Sequence, residues 1–375
     1  MDQLIALAKA FKNVKDPRIN RAKKHNLADI ITLTLCATMC GMDNWEDIEW
    51  FAEVREDWLR KFLDLPNGIP SHDTIYRVFS RINPKQLNEV LVKWTNGLNN
   101  SLEGKVVAID GKTLRRSFDT AAGTSALHVV SAWVQENNLV LGQVATDTKG
   151  TEIAKIPELL RMLELKNSIV TIDAIGCQKE IIRVIREEKK ADYVIALKAN
   201  QMNLYNEVIH FFKVAEKSDF FTMDYCESLE KGHGRIETRH CICLNVDKHL
   251  EHVASDFKDL RTIAKISSIR EVRGKQETSD RYFISSLPCN AKQIAHAVRT
   301  HWGVENSLHW RLDVVFNEDS SRIRKDHAPE NMALIRRMAI NLIKPRLPAK
   351  TSVRQARRRM GLSLEYAQNL FIRAT

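Results

Sequence analysis

The chain has 375 residues, 44% hydrophobic and 28% charged, which is ordinary for a globular protein and long enough for two or three domains. Its seven cysteines form no CxxC pair and are odd in number, which argues against a closed disulfide framework and favours buried thiols in a reducing compartment. The net charge of +10 resides in residues 321–375, where 13 Lys and Arg outnumber 3 Asp and Glu, so the rest of the chain is neutral. A basic end of this kind indicates one localised contact with a polyanion.

The apolar stretches argue against a membrane protein. The longest runs from Leu27 to Met42, contains Asp29 and three threonines, and is too short and too polar to span a bilayer. Charges begin at Asp2, and no apolar segment of the signal-peptide type follows. We therefore expect a cytoplasmic protein with no membrane partner.

Residues 1–100 are predicted to be helical. The segments KHNLADIITLTLCATMCGM and NWEDIEWFAEVREDWLRKFL carry apolar residues at helical spacing. A turn rich in proline and glycine follows, and Ser71 is expected to cap the helix DTIYRVFSRI. The polar side of this short helix carries Arg77 and Arg81, so it is a candidate for the DNA-reading element of a helix-turn-helix.

From Val106 the pattern changes to short strands. VVAID is followed by ALHVVSAWV and LVLGQVAT, which the turn-forming QENN separates. The amphipathic helix TEIAKIPELLRMLEL, the strand IVTID, the helix KEIIRVIREEKK and the strand YVIAL complete the series. This order predicts an α/β fold of the ribonuclease-H-like kind, in which the first and fourth strands are neighbours.

Residues 200–290 interrupt the series. The segments ETRHCICL, RTIAKISSIREVR and DRYFISSL are predicted to be strands, and we interpret this region as a β-rich insertion. Asn290 is then expected to cap one long helix, AKQIAHAVRTHWGVENSLHWRL, which carries Glu305.

Three carboxylates occupy positions suited to metal-dependent phosphoryl transfer. Asp110 ends the run VVAID, Asp173 ends IVTID, and Glu305 lies in the downstream helix. An acid at the end of a strand is held by a rigid element yet points out of the core, and open α/β sheets place ligands near such ends. Two of these acids on neighbouring strands, with a third from a helix, are suited to two divalent cations about 3.5–4 Å apart.

The residues around these acids resemble the H-repeat-associated (ISAs-type) group of bacterial insertion-sequence transposases, which belongs to the DDE class. The resemblance extends from Asp16 to about residue 345 and therefore covers most of the chain. The segments that carry it are VVAIDGKTLRRS, IVTIDAIGCQKE, EKGHGRIETR and HWGVENSLHWRLDVVFNEDSSRIRK.

The resemblance implies a ribonuclease-H-like catalytic domain, which we place at residues 101–320 with the β-rich insertion at about 200–290. We expect residues 1–100 to form an all-α domain that binds DNA ends, and residues 321–375 to form a basic helical segment. These boundaries follow the changes in sequence pattern described above.

The resemblance also implies the function. It makes Asp110, Asp173 and Glu305 the catalytic and metal-binding triad for two Mg²⁺ ions, for which Mn²⁺ can substitute. The activity would be that of a transposase that binds the terminal inverted repeats of an insertion sequence, cleaves DNA there and transfers the strands to target DNA. We expect a homodimer on double-stranded DNA, associated with the bacterial nucleoid.

The residues expected to grip DNA depart from the pattern of related groups. Those groups surround the glutamate with Tyr-x2-Arg-x3-Glu-x6-Lys, whereas Val298, His301 and Leu312 occupy the corresponding positions here. Arg299 and Arg311 lie nearby and are candidates for that contact. The other candidate phosphate-binding residues are Lys112, Arg115, Arg116 and Lys198.

Some residues and the whole chain admit alternative interpretations. The spacing of His301, Glu305 and His309 would also suit zinc, and Cys177 opens a helix after a strand as a nucleophile would. Trp302 and Trp310 are expected to pack in the core, with stacking on DNA bases as the alternative. The alternative functions are a structure-selective nuclease of the same fold and a non-catalytic, transposase-derived DNA-binding protein.

Overall fold

The structure is a computed structural model that describes residues 2–20, 23–98, 101–146, 149–218, 221–232, 234–246, 250 and 254–372. Its helices are α1 (Asp2–Ala10), α2 (Leu27–Met39), α3 (Trp45–Val54), α4 (Glu56–Leu59), α5 (His72–Phe79), α6 (Pro84–Leu98), α7 (Glu152–Met162), α8 (Lys179–Arg183), α9 (Met202–Ala215), α10 (Ala291–Val304), α11 (Trp310–Val314), α12 (Ala328–Ile343), α13 (Val353–Leu362) and α14 (Leu364–Ile372). Its strands are β1 (Val106–Thr113), β2 (His128–Val134), β3 (Leu139–Thr146), β4 (Ile169–Ile172), β5 (Asp192–Leu197), β6 (Asp224–Gly232), β7 (Arg235–Asn245), β8 (Thr262–Val272) and β9 (Lys275–Ser285). Within these ranges no helix is both long and apolar enough to cross a bilayer.

The chain folds as two compact units. The first, called here the helical unit, contains residues 1–100, 111–151 and 305–375. The second, called the sheet unit, contains residues 101–110 and 152–304. Two of the points at which the chain passes from one unit to the other fall inside regular structure, at Asp110–Gly111 in β1 and at the end of α10.

Helix α12 lies in the core of the helical unit. Every residue of this helix except Glu330 is buried, as expected for a helix that is apolar on most of its surface. Its buried amides are hydrogen-bonded: Asn331 donates to the carbonyls of Phe79 and Ile82, at 2.8 and 2.9 Å. Asn341 bonds the backbone N–H and C=O of Val140, both at 2.8 Å. The helix therefore combines apolar packing with hydrogen bonds from both amides, although the side-chain oxygen of Asn331 is buried without a partner among the described residues.

Part of the positive charge near the C-terminal end lies inside the helical unit. Arg336, Arg337, Arg346 and Arg357 are all buried. Arg337 donates to the fully buried Glu318 at 3.0 Å, and Arg357 donates to Asp43 at 2.7 Å. These arginines bind the protein's own acceptors, so only the remaining basic residues of this segment are available to a polyanion.

The sheet unit contains strands in the order β1-β4-β5-β9-β8-β7-β6. Strands β1, β4 and β5 are parallel, β9 is antiparallel to β5, and β8, β7 and β6 continue the antiparallel series. The helical unit holds the order β3-β2-β1, in which β2 and β3 form the predicted hairpin. The prediction of a mixed α/β fold is confirmed, as is the prediction that the first and fourth strands are neighbours.

The region predicted as a β-rich insertion contains more structure than its sequence indicated. The three predicted strands are present as β7, β8 and β9, but α9 and β6 were missed. Strand β6 has the sequence DYCESLEKG and is mostly exposed, so it shows no apolar alternation. Because β9 pairs with β5, these strands extend the sheet of the unit directly.

Helix α10 covers one face of the sheet unit. Its residues Ala291, Ile294, Ala297 and Val298 pack in one cluster with buried residues of the sheet, among them Val106, Ile169, Val194, Cys241, Cys243, Ala264 and Phe283. The helical spacing of these apolar residues places them on one side of α10. Burial of this side fixes the helix against β1, β4 and β5, on which the two aspartates lie.

Candidate catalytic site

The two aspartates of the sheet unit follow neighbouring strands. Strands β1 and β4 are parallel and pair as far as Ile109 with Ile172, so Asp110 and Asp173 occupy the next position on each strand. Asp173 immediately follows β4, as predicted. Asp110 does not end β1, because the strand continues to Thr113; it ends only the part that pairs with β4. The sequence correctly placed the two acids on adjacent strands but set the end of β1 three residues too early.

Asp173 is held by its own backbone turn. Its carboxylate accepts a hydrogen bond from the N–H of Ile175 at 3.2 Å, which caps the short 3₁₀ turn Ala174–Gly176. The side-chain amide of Asn200 donates to the carbonyl of Ala174 at 2.7 Å and braces the same turn. These two hydrogen bonds restrain the carboxylate at the start of the turn.

The pKa of Asp173 is raised. The surrounding protein removes water from this carboxyl, although one side of it remains exposed, and the neighbouring Asp110 carboxylate adds like-charge repulsion. The N–H of Ile175 and His301 act in the opposite direction but do not cancel these effects. Two close carboxylates that repel each other form a pair that a divalent cation would stabilise.

Glu305 is the first residue of a π-helical turn and does not lie inside a regular α-helix. The predicted long helix is α-helical over Ala291–Val304, π-helical over Glu305–His309 and α-helical again from Trp310. The prediction that Asn290 caps the N-terminus of this helix is confirmed, because its side chain accepts a hydrogen bond from the N–H of Gln293 at 2.9 Å. A π turn carries one extra residue and occurs frequently at functional sites. The apolar periodicity of the sequence does not reveal this turn.

Glu305 is ionised and oriented by His309. The Nδ1 atom of His309 lies 3.2 Å from Oε2 of Glu305, and the imidazole is buried while the carboxylate is mostly exposed. This hydrogen bond lowers the pKa of Glu305, and the charges of His309 and Lys112 lower it further. From the sequence, His309 was a candidate only for a zinc ligand. In the structure it contacts Glu305.

Lys112 lies in a cluster of charges within the helical unit. Its ammonium is buried and lies 2.6 Å from Asp313 and 2.8 Å from Asp319. Asp319 also bonds the exposed Arg115 at 3.2 Å. Burial raises the pKa of Asp313, while Lys112 opposes that effect. The two acids are about 200 residues from Lys112 in sequence, so no local signal could have identified them as its partners.

The remaining basic candidates fall into two groups. Arg77, Arg81, Arg115, Arg116 and Lys198 are exposed. By contrast, Arg299 donates to Glu230 from Nε and Nη2, at 2.9 and 2.7 Å. Arg311 is half-buried, which lowers the pKa of its guanidinium. The side chains of the first group are exposed, although Arg77 pairs with Asp73 at 3.1 Å and Arg115 pairs with Asp319 at 3.2 Å. The second group is engaged by the protein itself.

The alternative chemistries find little support in the structure. Cys177 is buried and its pKa is raised to about 12, so it stays a protonated thiol and would not act as a nucleophile. His301 lies with Nδ1 3.1 Å from the hydroxyl of Thr171. The expectation that the two tryptophans pack in the core is wrong: Trp302 is 47% exposed and Trp310 is 54% exposed.

Comparison with known proteins identifies the family. Residues 8–95 match the family model described as DDE_Tnp_1-associated, and residues 101–342 match the model described as Transposase DDE domain. The chain thus belongs to the DDE transposase family, as the resemblance in its sequence indicated. Transposases act on DNA, and those of the DDE class use divalent metal ions.

Individual relatives support the same assignment. The chain is 41% identical over 360 residues to the putative transposase YncI of Escherichia coli O157:H7, covering 95% of this chain and 92% of that protein. It is 40% identical over 368 residues to the H repeat-associated putative transposase YhhI of Escherichia coli K12, covering 97% of each. A cryo-EM structure of the piggyBac transposase synaptic complex with hairpin DNA aligns with 99% of this chain and 77% of its own, at 11% identity. Its TM-score of 0.38 is too low to define a shared fold.

Proposed function

We propose that this transposase binds the terminal inverted repeats of an insertion sequence, cleaves DNA there and joins the ends to target DNA. The catalytic residues in this proposal are Asp110, Asp173 and Glu305, on a domain of the ribonuclease-H-like kind. The observation that carries it is the placement of two aspartates one step beyond the last paired residues of adjacent parallel strands. The strand order β3-β2-β1 in one unit and β1-β4-β5 in the other supports the ribonuclease-H-like assignment.

The donor set of the proposed triad fits hard divalent cations, because Mg²⁺ prefers oxygen ligands. We propose that Asp110, Asp173 and Glu305 would together hold two Mg²⁺ ions, for which Mn²⁺ can substitute. The bound ions would neutralise charge on the scissile phosphate and activate the attacking hydroxyl. His309 keeps Glu305 ionised for this role, and the turn capped by Asp173 keeps that carboxylate in place. No side chain acts as a nucleophile.

DNA contacts are proposed for the exposed basic residues of both units. Helix α5 is capped by Ser71 and presents Arg77 and Arg81, which would contact the transposon ends as part of the N-terminal helical region. A pocket of about 610 Å³ lies beside this helix and is lined by Tyr76 together with Arg322, Arg324 and Lys325, among others. Arg115, Arg116 and Lys198 would also hold the phosphate backbone.

These roles assign a function to each segment of the chain. We propose that residues 1–100 bind DNA ends, that residues 101–320 carry the catalysis and that residues 321–375 add basic helical surface. Because two transposon ends must be brought together, we propose a homodimer on DNA, which would associate with the nucleoid. Sedimentation of the protein with and without an end-containing duplex tests this stoichiometry.

The decisive experiment measures cleavage and joining on linear DNA that carries the element's inverted repeats. The wild-type protein with Mg²⁺ should produce both cut ends and joined products. Asp110→Asn, Asp173→Asn and Glu305→Gln should each lower cleavage by about a thousandfold or more, because each removes several kcal/mol of charge stabilisation. Binding to the ends should persist, and Glu164→Gln, which changes an exposed carboxylate of the sheet unit, is the matched control.

The outcomes separate the candidate functions. Cleavage without joined products would identify a structure-selective nuclease instead. Binding without cleavage by the wild-type protein would identify a non-catalytic DNA-binding protein. Retained cleavage by any of the three carboxamide variants would remove that residue from the catalytic site.

A further inference from the structure

The antiparallel strands of the sheet unit extend well beyond the parallel strands. Strand β5 pairs only with Tyr282–Ser285 of β9, so residues 275–281 of β9 continue past it. At about 3.4 Å per residue these seven residues span roughly 24 Å. Strands β8, β7 and β6 stay paired in register along this length. The result is a four-stranded ribbon that continues beyond the parallel strands of its unit.

The outer part of this ribbon is exposed on both faces. Every residue from 275 to 281 is exposed, and apolar side chains on β6 and β7 are exposed as well, with Leu229 at 58% and Ile236 at 37%. An antiparallel sheet normally packs one face against a core. This part of the ribbon contributes little to burial, so its position requires a reason other than folding.

Cations concentrate where the ribbon ends. The two hairpin turns are adjacent, because Arg235 pairs with Val272 in the register of β7 and β8. We define the ribbon tip as the described residues 231, 232, 234, 235 and 271–276. The described residues of the tip include four cations, Lys231, Arg235, Arg273 and Lys275, and a single acid, Glu271.

Most of these cations differ in their partners from two arginines close to the tip. Arg239 of β7 and Arg299 of α10 both bind Glu230, at 3.1 and 2.7 Å. At the tip, Arg235 is 3.8 Å from Glu237. Among the described residues, no carboxylate forms an ion pair with the other three tip cations. Within the described part of the chain, three of the four tip cations therefore lack the carboxylate partner that Arg239 and Arg299 have, and their charge is available to a polyanion.

The turn that carries Arg273 is geometrically fixed. Arg273 and Gly274 have φ angles of 50° and 76°, and the strands on either side pair directly up to Val272 and Lys275. Two successive residues with positive φ form the tight hairpin turn that matches the twist of its strands. The tip therefore presents its cations from a short, fully paired hairpin rather than from a long loop.

We propose that the ribbon tip is a second DNA-binding site, which contacts the phosphate backbone of duplex DNA without reading its sequence. The proposal rests on the proposed function in taking DNA as the partner, but it assigns this contact to residues outside the triad and outside α5. Unpaired lysines and arginines on a projecting element neutralise phosphates and release counterions. A contact between the tips of two copies would bring like charges together, which favours DNA over a second copy as the occupant.

The test compares two variants that lose the same charge. The tip variant carries Lys231→Ala, Arg235→Ala, Arg273→Ala and Lys275→Ala. The control carries Lys166→Ala, Lys213→Ala, Lys217→Ala and Lys292→Ala, which removes four exposed lysines elsewhere in the same unit. Binding of each full-length protein to a duplex without inverted repeats is measured in EDTA over a range of salt concentrations. Melting curves and sedimentation without DNA accompany each measurement.

The tip variant should bind more weakly, and the slope of log K against log[salt] should become shallower by about 3, since each lost phosphate contact accounts for roughly 0.9. The control should keep the wild-type slope. An unchanged slope in the tip variant, or an equal loss in the control, overturns the proposal. A change in self-association without a change in DNA binding overturns it in favour of a protein contact.

The triad and the tip can fail independently. Asp110→Asn protein should keep the wild-type salt slope, because its change removes cleavage and leaves the tip intact. Loss of cleavage in the tip variant on a substrate held at saturating concentration would assign these residues to the chemistry instead and would contradict the proposal. If the wild-type protein binds no duplex at all, both the proposed function and the tip site are refuted.

Discussion

Ile109 of β1 and Ile172 of β4 face each other as the last register partners of two parallel strands, and each is followed by an aspartate. This pairing, rather than the acids themselves, sets the distance between Asp110 and Asp173. The two strands are almost fully buried up to this point. A rigid pair of apolar strands therefore forces two like charges together, which is unfavourable unless something positive binds there.

The first prediction concerns the stability of the metal-free protein. Because the folded-state pKa of Asp173 is raised, stability should fall as the pH rises from its unfolded pKa to its folded pKa, and the loss persists above that range. Asp110→Asn removes the neighbouring charge and should raise the melting temperature in EDTA at neutral pH by on the order of 1–2 °C. Differential scanning calorimetry measures this change.

Addition of Mg²⁺ should make the melting temperature of the wild type higher than that of Asp110→Asn. The wild type gains stability from the bound cation, whereas Asp110→Asn gains less because one ligand is gone. Glu164→Gln should follow the wild type under both conditions, since Glu164 is exposed and is not one of the three proposed metal ligands. A lower melting temperature for Asp110→Asn in EDTA would show that the two carboxylates do not repel each other.

The second prediction uses the glycine that follows Asp173. A Cβ atom at Gly176 would lie 2.3 Å from Cγ2 of Ile172, whose side chain is buried at the end of β4. Gly176→Ala should therefore cost about 1–3 kcal/mol by overpacking, and it should lower cleavage because the turn that holds Asp173 must shift. Chemical denaturation and the cleavage assay measure the two effects.

Gly97 provides the control for this substitution. It lies in α6, and a Cβ atom there would meet nothing within 4 Å. Gly97→Ala should leave cleavage unchanged and stabilise the protein by up to about 1 kcal/mol through helix propensity. Equal effects of the two substitutions would mean that the close approach at Gly176 has no consequence.

The third prediction concerns the charge cluster around Lys112. Lys112→Met leaves the carboxylates of Asp313 and Asp319 without their buried cation, so the free energy of unfolding should fall by about 3 kcal/mol. Adding Asp313→Asn to this variant should restore part of the loss, because it removes one of the two uncompensated charges. Arg115→Ala removes an exposed partner of Asp319 and should cost at most about 1 kcal/mol. Comparable losses for Lys112→Met and Arg115→Ala would contradict this account.

The fourth prediction is a pH dependence in the helical unit. Nδ1 of His72 lies 2.5 Å from Oε2 of Glu49, and this hydrogen bond raises the pKa of His72. The stabilisation is therefore fully present below the unfolded pKa of histidine and is lost as the pH rises through the folded value. The melting temperature of His72→Gln should fall below that of the wild type at pH 6, and the difference should shrink by pH 9. A difference that grows with pH would show that the neutral imidazole makes the stabilising contact.

The parts of the fold that could be predicted from the sequence are those that depend on local patterns of apolar residues. The helices of the first hundred residues, the β2–β3 hairpin and the adjacency of β1 and β4 follow from apolar periodicity and element order, and all are confirmed. The positions of Asp110 and Asp173 were found for the same reason, since each ends a buried apolar run. Strand β6 was missed because its exposed, polar sequence carries no such period.

The local environment of the candidate site could not be predicted, because it depends on contacts between distant parts of the chain. Lys112 was expected to meet DNA, yet its partners lie about 200 residues away. The Trp302 side chain was expected in the core, yet it is 47% exposed and lies under the guanidinium of Arg281 on β9, at 4.6 Å. The π-helical turn at Glu305 differs from an α turn by a single residue, which a periodicity of 3.6 does not resolve. These features arise from tertiary packing, and only the structure reveals them.

Strand β6 also has a bearing on how concentrated solutions of this protein should behave. It is the last strand in the order of the sheet unit, and in the described part of the chain one of its sides has no strand partner. A nine-residue strand with free N–H and C=O groups is a template on which another chain can add and start aggregation. Charges at Glu227, Glu230 and Lys231 oppose such growth, so conditions that neutralise them should reduce solubility well before they unfold the protein.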